Sequence, residues 1–234
     1  MDVMICVPIV ESTKAEILAK AKEIAKKKPD MVELRIDHFE YWMEECFLFE
    51  LLEELKEILG EIPILFTFRT PFEGGNEPIT KEAYFALLSL VTNRDEISYI
   101  DMEANLIKDR VGLIKEAKEK NKKVITSYHN FAETPEKEEI AAKLKEMESL
   151  SGDVLKVAVM PNSEVDLVTL REGVEEANKE IQNPKIIIAM GELGSDTRIH
   201  PLNYSSILTF AMVGKESAPG QIEIDELRKI LKQD

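Results

Sequence analysis

Cysteine, glycine, proline and long apolar runs are all scarce in this sequence. Its 234 residues include 2 Cys, 10 Gly and 10 Pro, which excludes a disulfide framework and a collagen-like chain. We expect Cys6 and Cys46 to be free, buried thiols, because one lies in an apolar run and the other beside aromatic residues. No apolar run approaches the ~20 residues of a membrane-spanning helix, and the N-terminus lacks a basic segment and a cleavage site. We therefore expect a cytoplasmic protein with no membrane partner.

Positive charge is scarce as well. The chain has 30 Lys and Arg against 45 Asp and Glu, a net charge of −15. Such a chain is a poor partner for nucleic acid, so we expect no nucleic-acid binding. Any site for an anion must concentrate the few basic groups locally. The hydrophobic fraction of 44% is enough for a sizeable core, which argues against disorder.

Short β-rich runs alternate with longer amphipathic segments along the chain. Eight strands are predicted, at residues 3–10, 31–37, 63–69, 97–103, 123–129, 154–160, 185–190 and 208–213. Helices are predicted after residue 12 and at residues 47–59, 81–91, 106–120, 135–150, 165–179 and 225–231. This alternation is typical of an α/β fold with a parallel sheet. We predict one domain over residues 1–234, a (β/α)8 TIM barrel with an eight-stranded parallel sheet.

The alternative fold is an open, doubly wound sheet. Such a sheet usually has a glycine-rich turn after its first strand, and residues 8–13 contain no glycine. Several helix ends carry local signals: Ser12, Thr80 and Thr134 are predicted N-caps, and Pro135 would follow the last of them. Gly60 is predicted to end the second helix.

Polar and ionisable residues stand near the carboxyl ends of five consecutive strands, where a buried parallel strand is normally apolar. In strand order they are Glu33, Arg35 and Asp37; Thr67 and Arg69; Asp101 and Glu103; Ser127 and His129; and Lys156. Alternate residues of a strand share a face, so the members of each group point the same way. Active sites of (β/α)8 barrels lie at this end of the strands. The pattern predicts a charged pocket in the barrel mouth.

Lys156 is the one charged residue in an apolar strand. Such a lysine must lose its charge or find a partner. One interpretation is a structural ammonium paired with Asp101 or Glu103. The interpretation that we favour is an amine, partly neutral near pH 7, that attacks a carbonyl and forms a Schiff base. The protonated imine is an electron sink that makes β-elimination feasible.

That chemistry needs a base, and His129 ends the preceding strand. Glu103, on the strand before it, could hold the imidazole ring and stabilise the imidazolium. A purely structural histidine is the alternative. A metal bound by Asp101, Glu103 and His129 is disfavoured, because Lys156 beside them would compete with the ion.

Arg35, Arg69 and Arg198 would attract a carboxylate or phosphate substrate. The alternative is that each pairs with a nearby acid, as Arg35 could with Glu33 or Asp37. The loop at residues 216–221 carries Ser217 and Gln221 as uncharged donors. It is either an ordinary connection or a lid that closes on substrate.

Several short motifs occur in a fixed order along nearly the whole chain. They are ELRID (33–37), FTFRT and EGG (66–70 and 73–75), YIDME (99–103), SYHNF (127–131), LKVAVMP (155–161), AMG and TRI (189–191 and 197–199), and SAPGQ (217–221). Together they resemble type I 3-dehydroquinate dehydratase, a Schiff-base hydro-lyase of the shikimate pathway. The resemblance implies a (β/α)8 barrel that converts 3-dehydroquinate to 3-dehydroshikimate without metal or organic cofactor. It also implies a homodimer.

The resemblance further implies a role for each matching residue. Lys156 matches the Schiff-base lysine, His129 the acid–base histidine and Glu103 its orienting carboxylate. The matches to substrate-binding residues are Glu33, Arg35 and Arg69 for the ring hydroxyls, Arg198, Ser217 and Gln221 for the carboxylate, Met190 and Phe131 for apolar walls, and Ala218 for the lid.

Two other functions remain open at this point. One is another Schiff-base barrel enzyme, such as an aldolase for a phosphorylated sugar, although the loops after strands seven and eight lack a glycine-rich phosphate cradle. The other is a non-catalytic barrel that binds a carboxylate. The set of Lys156, His129 and Glu103 argues against the second.

Overall fold

The strands form the predicted barrel in a computed structural model that describes residues 3–214 and 220–232. They are β1 (Met4–Ile9), β2 (Met31–Arg35), β3 (Ile64–Thr67), β4 (Tyr99–Glu103), β5 (Lys123–Asn130), β6 (Val154–Val159), β7 (Lys185–Ala189), β8 (Leu208–Met212) and β9 (Ile222–Glu223). Their order in the sheet is β7-β6-β5-β4-β3-β2-β1-β8-β9, with parallel pairing throughout. The described residues thus contain nine strands against the eight predicted. The additional β9 has 2 residues, too few to leave an alternating pattern.

Helices separate most of the strands. They are α1 (Lys14–Lys27), α2 (Glu45–Leu59), α3 (Lys81–Thr92), α4 (Ala104–Ile107), α5 (Gly112–Glu119), α6 (Lys137–Ser149), α7 (Glu164–Asn178), α8 (Ser195–Ile199) and α9 (Ile224–Leu231). The single helix predicted at 106–120 is two, α4 and α5, separated by a segment that contains Asp109 and precedes Gly112, two poor helix formers. None of the helices in the described ranges has the length and apolar character needed to cross a bilayer.

Two predicted helix ends are confirmed. The hydroxyl of Thr80 accepts a hydrogen bond from the backbone N–H of Ala83 at 3.2 Å, which caps α3. Gly60 ends α2 with a φ of +59°, a backbone conformation that costs glycine little. These signals act locally, so they can be read without knowledge of the tertiary structure.

Two predicted N-caps are wrong. Thr13, not Ser12, caps α1, and it forms a capping box with Glu16. Helix α6 begins after Glu136, not after Thr134. The Thr134 hydroxyl instead donates to the carbonyl oxygen that follows β6, at 3.1 Å. A long-range contact has therefore replaced the local cap.

Two apolar clusters hold the barrel together. The larger one lies between the strands and the helices, and the smaller one fills the barrel interior with residues near the amino ends of the strands: Cys6, Met31, Leu65, Ile125, Val154, Ile186, Leu208 and Phe210. The polar residues follow towards the carboxyl ends, so the interior changes from apolar to charged along the barrel axis. The expectation that Cys46 is buried is wrong: it is exposed, because the buried side of α2 begins at Leu48.

The barrel closes between β7 and β8 with few ladder hydrogen bonds. A bridge pairs Lys185 with Ser206, and Ile207 donates its N–H to the Lys185 carbonyl at 2.8 Å. The buried Ser206 hydroxyl accepts from the N–H of Ile187 at 3.0 Å and donates to the carbonyl of Leu208 at 2.9 Å. One side chain thus replaces part of a strand ladder.

We expect Ser206→Ala to destabilise the barrel, because the N–H of Ile187 would stay buried without an acceptor. The expected loss in the free energy of unfolding is about 1–3 kcal/mol, measured by urea denaturation. Ser149→Ala is the matched control, since its hydroxyl bonds at the exposed end of α6, and it should change stability by less than about 0.5 kcal/mol. Equal stability of both variants would mean that the Ser206 hydroxyl does not contribute to closure.

Candidate active site

Most of the predicted site residues meet at the carboxyl ends of the strands, around a cavity of about 110 Å3. Those that line it are Glu33, Arg35, His129, Phe131, Lys156, Met190, Arg198 and Gln221. Ser217 and Ala218 lie outside the described residues. A larger cavity of about 800 Å3 lies outside the barrel beside α9, and no predicted site residue lines it. We therefore take the smaller, charged cavity as the candidate active site.

Lys156 reaches this cavity from the middle of β6 and is 4% exposed. Its Nζ lies 3.4 Å from Glu33 Oε1 and 3.8 Å from Asp101 Oδ2. It also lies 4.9 Å from the centre of the Phe210 ring, a distance at which an aromatic face attracts a cation. Of the two ionic partners predicted for Lys156, Asp101 contacts the amine and Glu103 does not. The amine has partners that hold a positive charge, and it borders the space where a ligand would sit.

His129 stands beside Lys156 because of the strand register. On β5 and β6, Ser127 pairs with Lys156 and His129 pairs with Ala158. Alternate residues face the same side, so the imidazole lies one step closer to the barrel mouth than the amine. Both side chains line the cavity, and the Phe131 ring stacks near the imidazole at 6.5 Å between centroids.

Glu73, rather than Glu103, orients the imidazole of His129. Its Oε2 lies 3.0 Å from Nδ1 of the ring and accepts the His129 backbone N–H at 3.0 Å. A carboxylate in this position favours the tautomer with the proton on Nδ1, which leaves Nε2 as the basic nitrogen. Burial, reinforced by Arg69 and Lys156, lowers the pKa of His129 well below its usual value. The ring is therefore poised as a neutral base.

The predicted contact between Glu103 and His129 is thus corrected, for a geometric reason. Both carboxylate oxygens of Glu103 turn towards Thr70: Oε1 accepts its backbone N–H and Oε2 its hydroxyl, each at 2.8 Å. Oε1 also accepts from Arg69 at 3.2 Å. Burial raises the pKa of Glu103, although Arg69 and Thr70 oppose that effect.

Arg69 lies at the centre of a buried charge cluster. Its guanidinium is 2.8 Å from Asp101, 3.2 Å from Glu103 and 3.6 Å from Glu73, and it donates to the Ser127 hydroxyl at 2.8 Å. Burial alone would lower the pKa of Arg69, but the carboxylates outweigh it and raise the pKa. With 3% exposure, Arg69 is not among the residues that line the cavity.

The charge of Glu73 depends on this cluster. Burial raises its pKa to about 8; Arg69 opposes the increase, and Glu103 and Asp101 add to it. The N–H of His129 favours the ionised form. Small changes around this carboxylate can therefore change its protonation near neutral pH.

On the opposite side of the site, hydrogen bonds to neighbouring side chains hold Arg35 and Glu33. The guanidinium of Arg35 donates to Asp37 twice, at 2.9 and 2.8 Å, so of its two candidate partners Asp37 is the one it binds. Glu33 accepts the Thr67 hydroxyl at 2.9 Å. Both side chains line the cavity. The cation Arg35 and the anion Glu33 are therefore available to bind polar groups of a ligand.

Arg198 approaches from the other rim, on the short helix α8. Its Nη1 donates to the carbonyl of Ala189 at 3.3 Å, and the Thr209 hydroxyl donates to the Arg198 carbonyl at 3.0 Å. Gly220 has a φ of +79°, and an added Cβ would lie 2.6 Å from the Gly191 carbonyl oxygen. Glycine is therefore required where the chain returns to place Gln221 on the cavity wall.

Glu73 is the one functional contact that the sequence interpretation missed. It ends a single 3-10 turn (Pro71–Glu73) after β3, where neither helical nor strand periodicity gives a signal. Its position four residues after Arg69 and immediately before Gly74 is the available clue. Within residues 3–214 and 220–232, no three His, Cys, Asp or Glu side chains are arranged to hold a metal ion.

Comparison with known proteins gives a consistent result. Residues 5–234 match the family model described as type I 3-dehydroquinase. The chain is 39% identical over 228 residues to a 3-dehydroquinate dehydratase of Geobacillus sp. (strain WCH70), an alignment that covers 97% of this chain and 88% of that protein.

Solved structures give the same result as the sequence comparison. A crystal structure of 3-dehydroquinate dehydratase from Geobacillus kaustophilus HTA426 has a TM-score of 0.96 and 34% identity, covering 100% of this chain and 91% of that one. The type I 3-dehydroquinate dehydratase from Clostridium difficile, with covalently modified comenic acid, has a TM-score of 0.92 and 36% identity, covering 99% and 92%.

We expect Glu73→Gln to lower the pKa of His129 below its value in the parent protein, because the imidazolium loses its adjacent anion. Nitrogen chemical shifts of the labelled imidazole, followed across pH without substrate, measure this change. Glu103→Gln is the matched control and should change the titration less, since it makes no bond to the ring. A larger effect from Glu103→Gln would restore Glu103 as the orienting group.

Proposed function

The chain belongs to the type I 3-dehydroquinase family, and we propose that it dehydrates 3-dehydroquinate through a Schiff base on Lys156, with His129 as the acid–base group. The observation that carries this proposal is the placement of the two side chains on adjacent strands, both on the wall of one cavity. An amine that forms an imine and a base beside it are the groups that a β-elimination next to a ketone requires.

The steps follow from these groups. The Lys156 Nζ adds to the ketone carbon, and loss of water from the adduct gives a protonated imine. His129 Nε2 removes a proton from the adjacent carbon, whose electrons move into the imine. The resulting enamine expels the hydroxyl group, which takes a proton from the imidazolium and leaves as water. Hydrolysis of the remaining imine releases 3-dehydroshikimate and returns the amine, so the net reaction is the loss of one water from the substrate.

The carboxylates around Lys156 have a role in this sequence. Glu33 and Asp101 stabilise an ammonium before substrate binds, and they stabilise the positive charge of the protonated imine after it forms. The aromatic face of Phe210 does the same. The amine must give up a proton before it attacks, and the neutral imidazole of His129 is the acceptor that lines the same cavity.

Substrate recognition is assigned to the remaining cavity residues. Arg198 and Gln221 bind the substrate carboxylate, together with Ser217 on the segment outside the described residues. Glu33 and Arg35 bind ring hydroxyl groups, and Met190 and Phe131 form apolar walls; Ala218, like Ser217, lies outside the described residues. Arg69 acts through Glu73, Glu103 and Asp101 rather than from the cavity wall.

The orienting role passes from Glu103 to Glu73 in this mechanism, because Glu73 contacts the ring. Glu103 then fixes the turn at Thr70 and neutralises Arg69. We also propose that the enzyme works as a cytoplasmic homodimer without cofactor. Sedimentation velocity measures whether the protein is a dimer, and turnover in the presence of a chelator tests whether a metal is needed.

We expect borohydride to inactivate the protein only when 3-dehydroquinate is present, by reducing the imine to a stable secondary amine. Peptide mapping should locate the added mass on Lys156. Lys185→Met is the matched control, because Lys185 is also buried on a strand but bonds backbone carbonyls away from the cavity. Modification of another residue, with activity retained, would contradict the covalent mechanism.

His129→Ala should slow turnover by roughly 10²–10⁴-fold, the usual contribution of a general acid–base group. The imine should still form, but more slowly, because the attacking amine remains while its proton acceptor is lost, and borohydride should trap it. The appearance of the conjugated enone product, followed by absorbance, measures the rate. Near-normal turnover would remove this histidine from the mechanism.

A further inference from the structure

Asn105 binds the carboxylate that orients the histidine. It lies in α4, two residues after the end of β4, and its Nδ2 donates to Glu73 Oε1 at 3.2 Å. The other oxygen of Glu73, Oε2, contacts the backbone N and ring Nδ1 of His129. The two oxygens thus have separate tasks: one holds the imidazole and the other is held by Asn105.

The orientation of the Asn105 amide is set from its other end. Lys143 on α6 donates from Nζ to Asn105 Oδ1 at 3.4 Å. Lys143 itself is held by Glu146 at 2.6 Å and by the face of the Tyr128 ring at 5.0 Å. A reversed amide would place its oxygen against the carboxylate and its NH2 group against the ammonium. The nitrogen therefore faces Glu73.

Asn105 does not line the active-site cavity. It lines a separate cavity of about 470 Å3 together with Glu73, His129 and Phe131, whereas only the last two also line the site where substrate would bind. Any influence of Asn105 on the reaction must therefore pass through Glu73 to the imidazole.

We propose that Asn105 is a positioning residue for the acid–base step, which aligns Glu73 and favours its ionised form so that His129 presents Nε2 as the base. This inference rests on the proposed function of His129. Lys143 on α6 holds Asn105 on α4 outside the active-site cavity. Asn105 therefore positions Glu73 without contacting the substrate.

The groups that face Glu73 explain why one donor matters. Arg69 is the cation in contact with it, at 3.6 Å. Glu103 and Asp101, both from β4, are anions that favour its protonation, as burial does. His129 and Asn105 supply the hydrogen bonds. Without the Asn105 donor the balance shifts towards the protonated acid, which cannot stabilise an imidazolium as a carboxylate does.

The test compares three variants with the parent enzyme. Asn105→Leu removes the donor, and Asn105→Asp replaces it with a second anion. Asn178→Leu is the matched control, since Asn178 is a half-buried asparagine whose amide donates to the Ser205 hydroxyl, away from the active-site cavity. The measurements are kcat and KM against pH with 3-dehydroquinate, and the imidazole nitrogen shifts of His129 without substrate.

We expect Asn105→Leu to move the acid limb of kcat that follows the ionisation of Glu73 to higher pH by about half to one unit, which below that limb is about a threefold to tenfold loss. Asn105→Asp should move it further. KM should stay within about twofold, because no contact with substrate is lost. The pKa of His129 should fall in Asn105→Leu, and Asn178→Leu should match the parent.

A lower kcat with an unchanged pH profile would mean that Asn105 is only structural, and it would overturn the proposal. So would unchanged imidazole shifts in Asn105→Leu. The imidazole titration needs no turnover, so it judges Asn105 even if the parent protein fails to dehydrate 3-dehydroquinate. Such a failure would instead contradict the proposed function.

Discussion

A single buried cation, Arg69, sets the arrangement of the site. A guanidinium is costly to bury unless carboxylates surround it, and this one lies 2.8 Å from Asp101, 3.2 Å from Glu103 and 3.6 Å from Glu73. Two of these acids belong to β4 and the third to the turn after β3, so their attraction to one cation fixes neighbouring strand ends relative to each other. Loss of the cation would leave a cluster of buried anions that could persist only by taking up protons.

The same cation connects the two groups that the proposed reaction uses. Asp101 contacts Arg69 and lies 3.8 Å from the amine of Lys156, while Glu73 contacts Arg69 and the ring of His129. In a poorly screened interior, a charge gained at one side changes the potential at the other. This coupling suits a reaction that moves protons between an amine, an imidazole and a substrate held between them.

The sequence predicts the parts of this architecture that depend on short-range pattern. Buried parallel strands are apolar runs, and polar residues at alternate positions near their ends reveal the mouth of the barrel. Strand register then brings Lys156 and His129 to one cavity. Glu73 escaped prediction because it lies in a 3-10 turn without periodicity. Glu103 was the better candidate by position alone, but its oxygens are taken by Thr70, a contact that only the folded loop creates.

At the seam between β7 and β8, the contacts that close the barrel also position a residue of the cavity wall. The connection between these two strands contains α8, the short helix that carries Arg198 to the cavity. Side chains supply the missing hydrogen bonds: the Thr197 hydroxyl accepts the Ala189 N–H at 3.1 Å, and the Thr209 hydroxyl donates to the carbonyl of Arg198 at 3.0 Å. Ser206 does the same lower on the seam. Residues at this seam therefore also position Arg198, and a change that loosens the seam would displace that arginine.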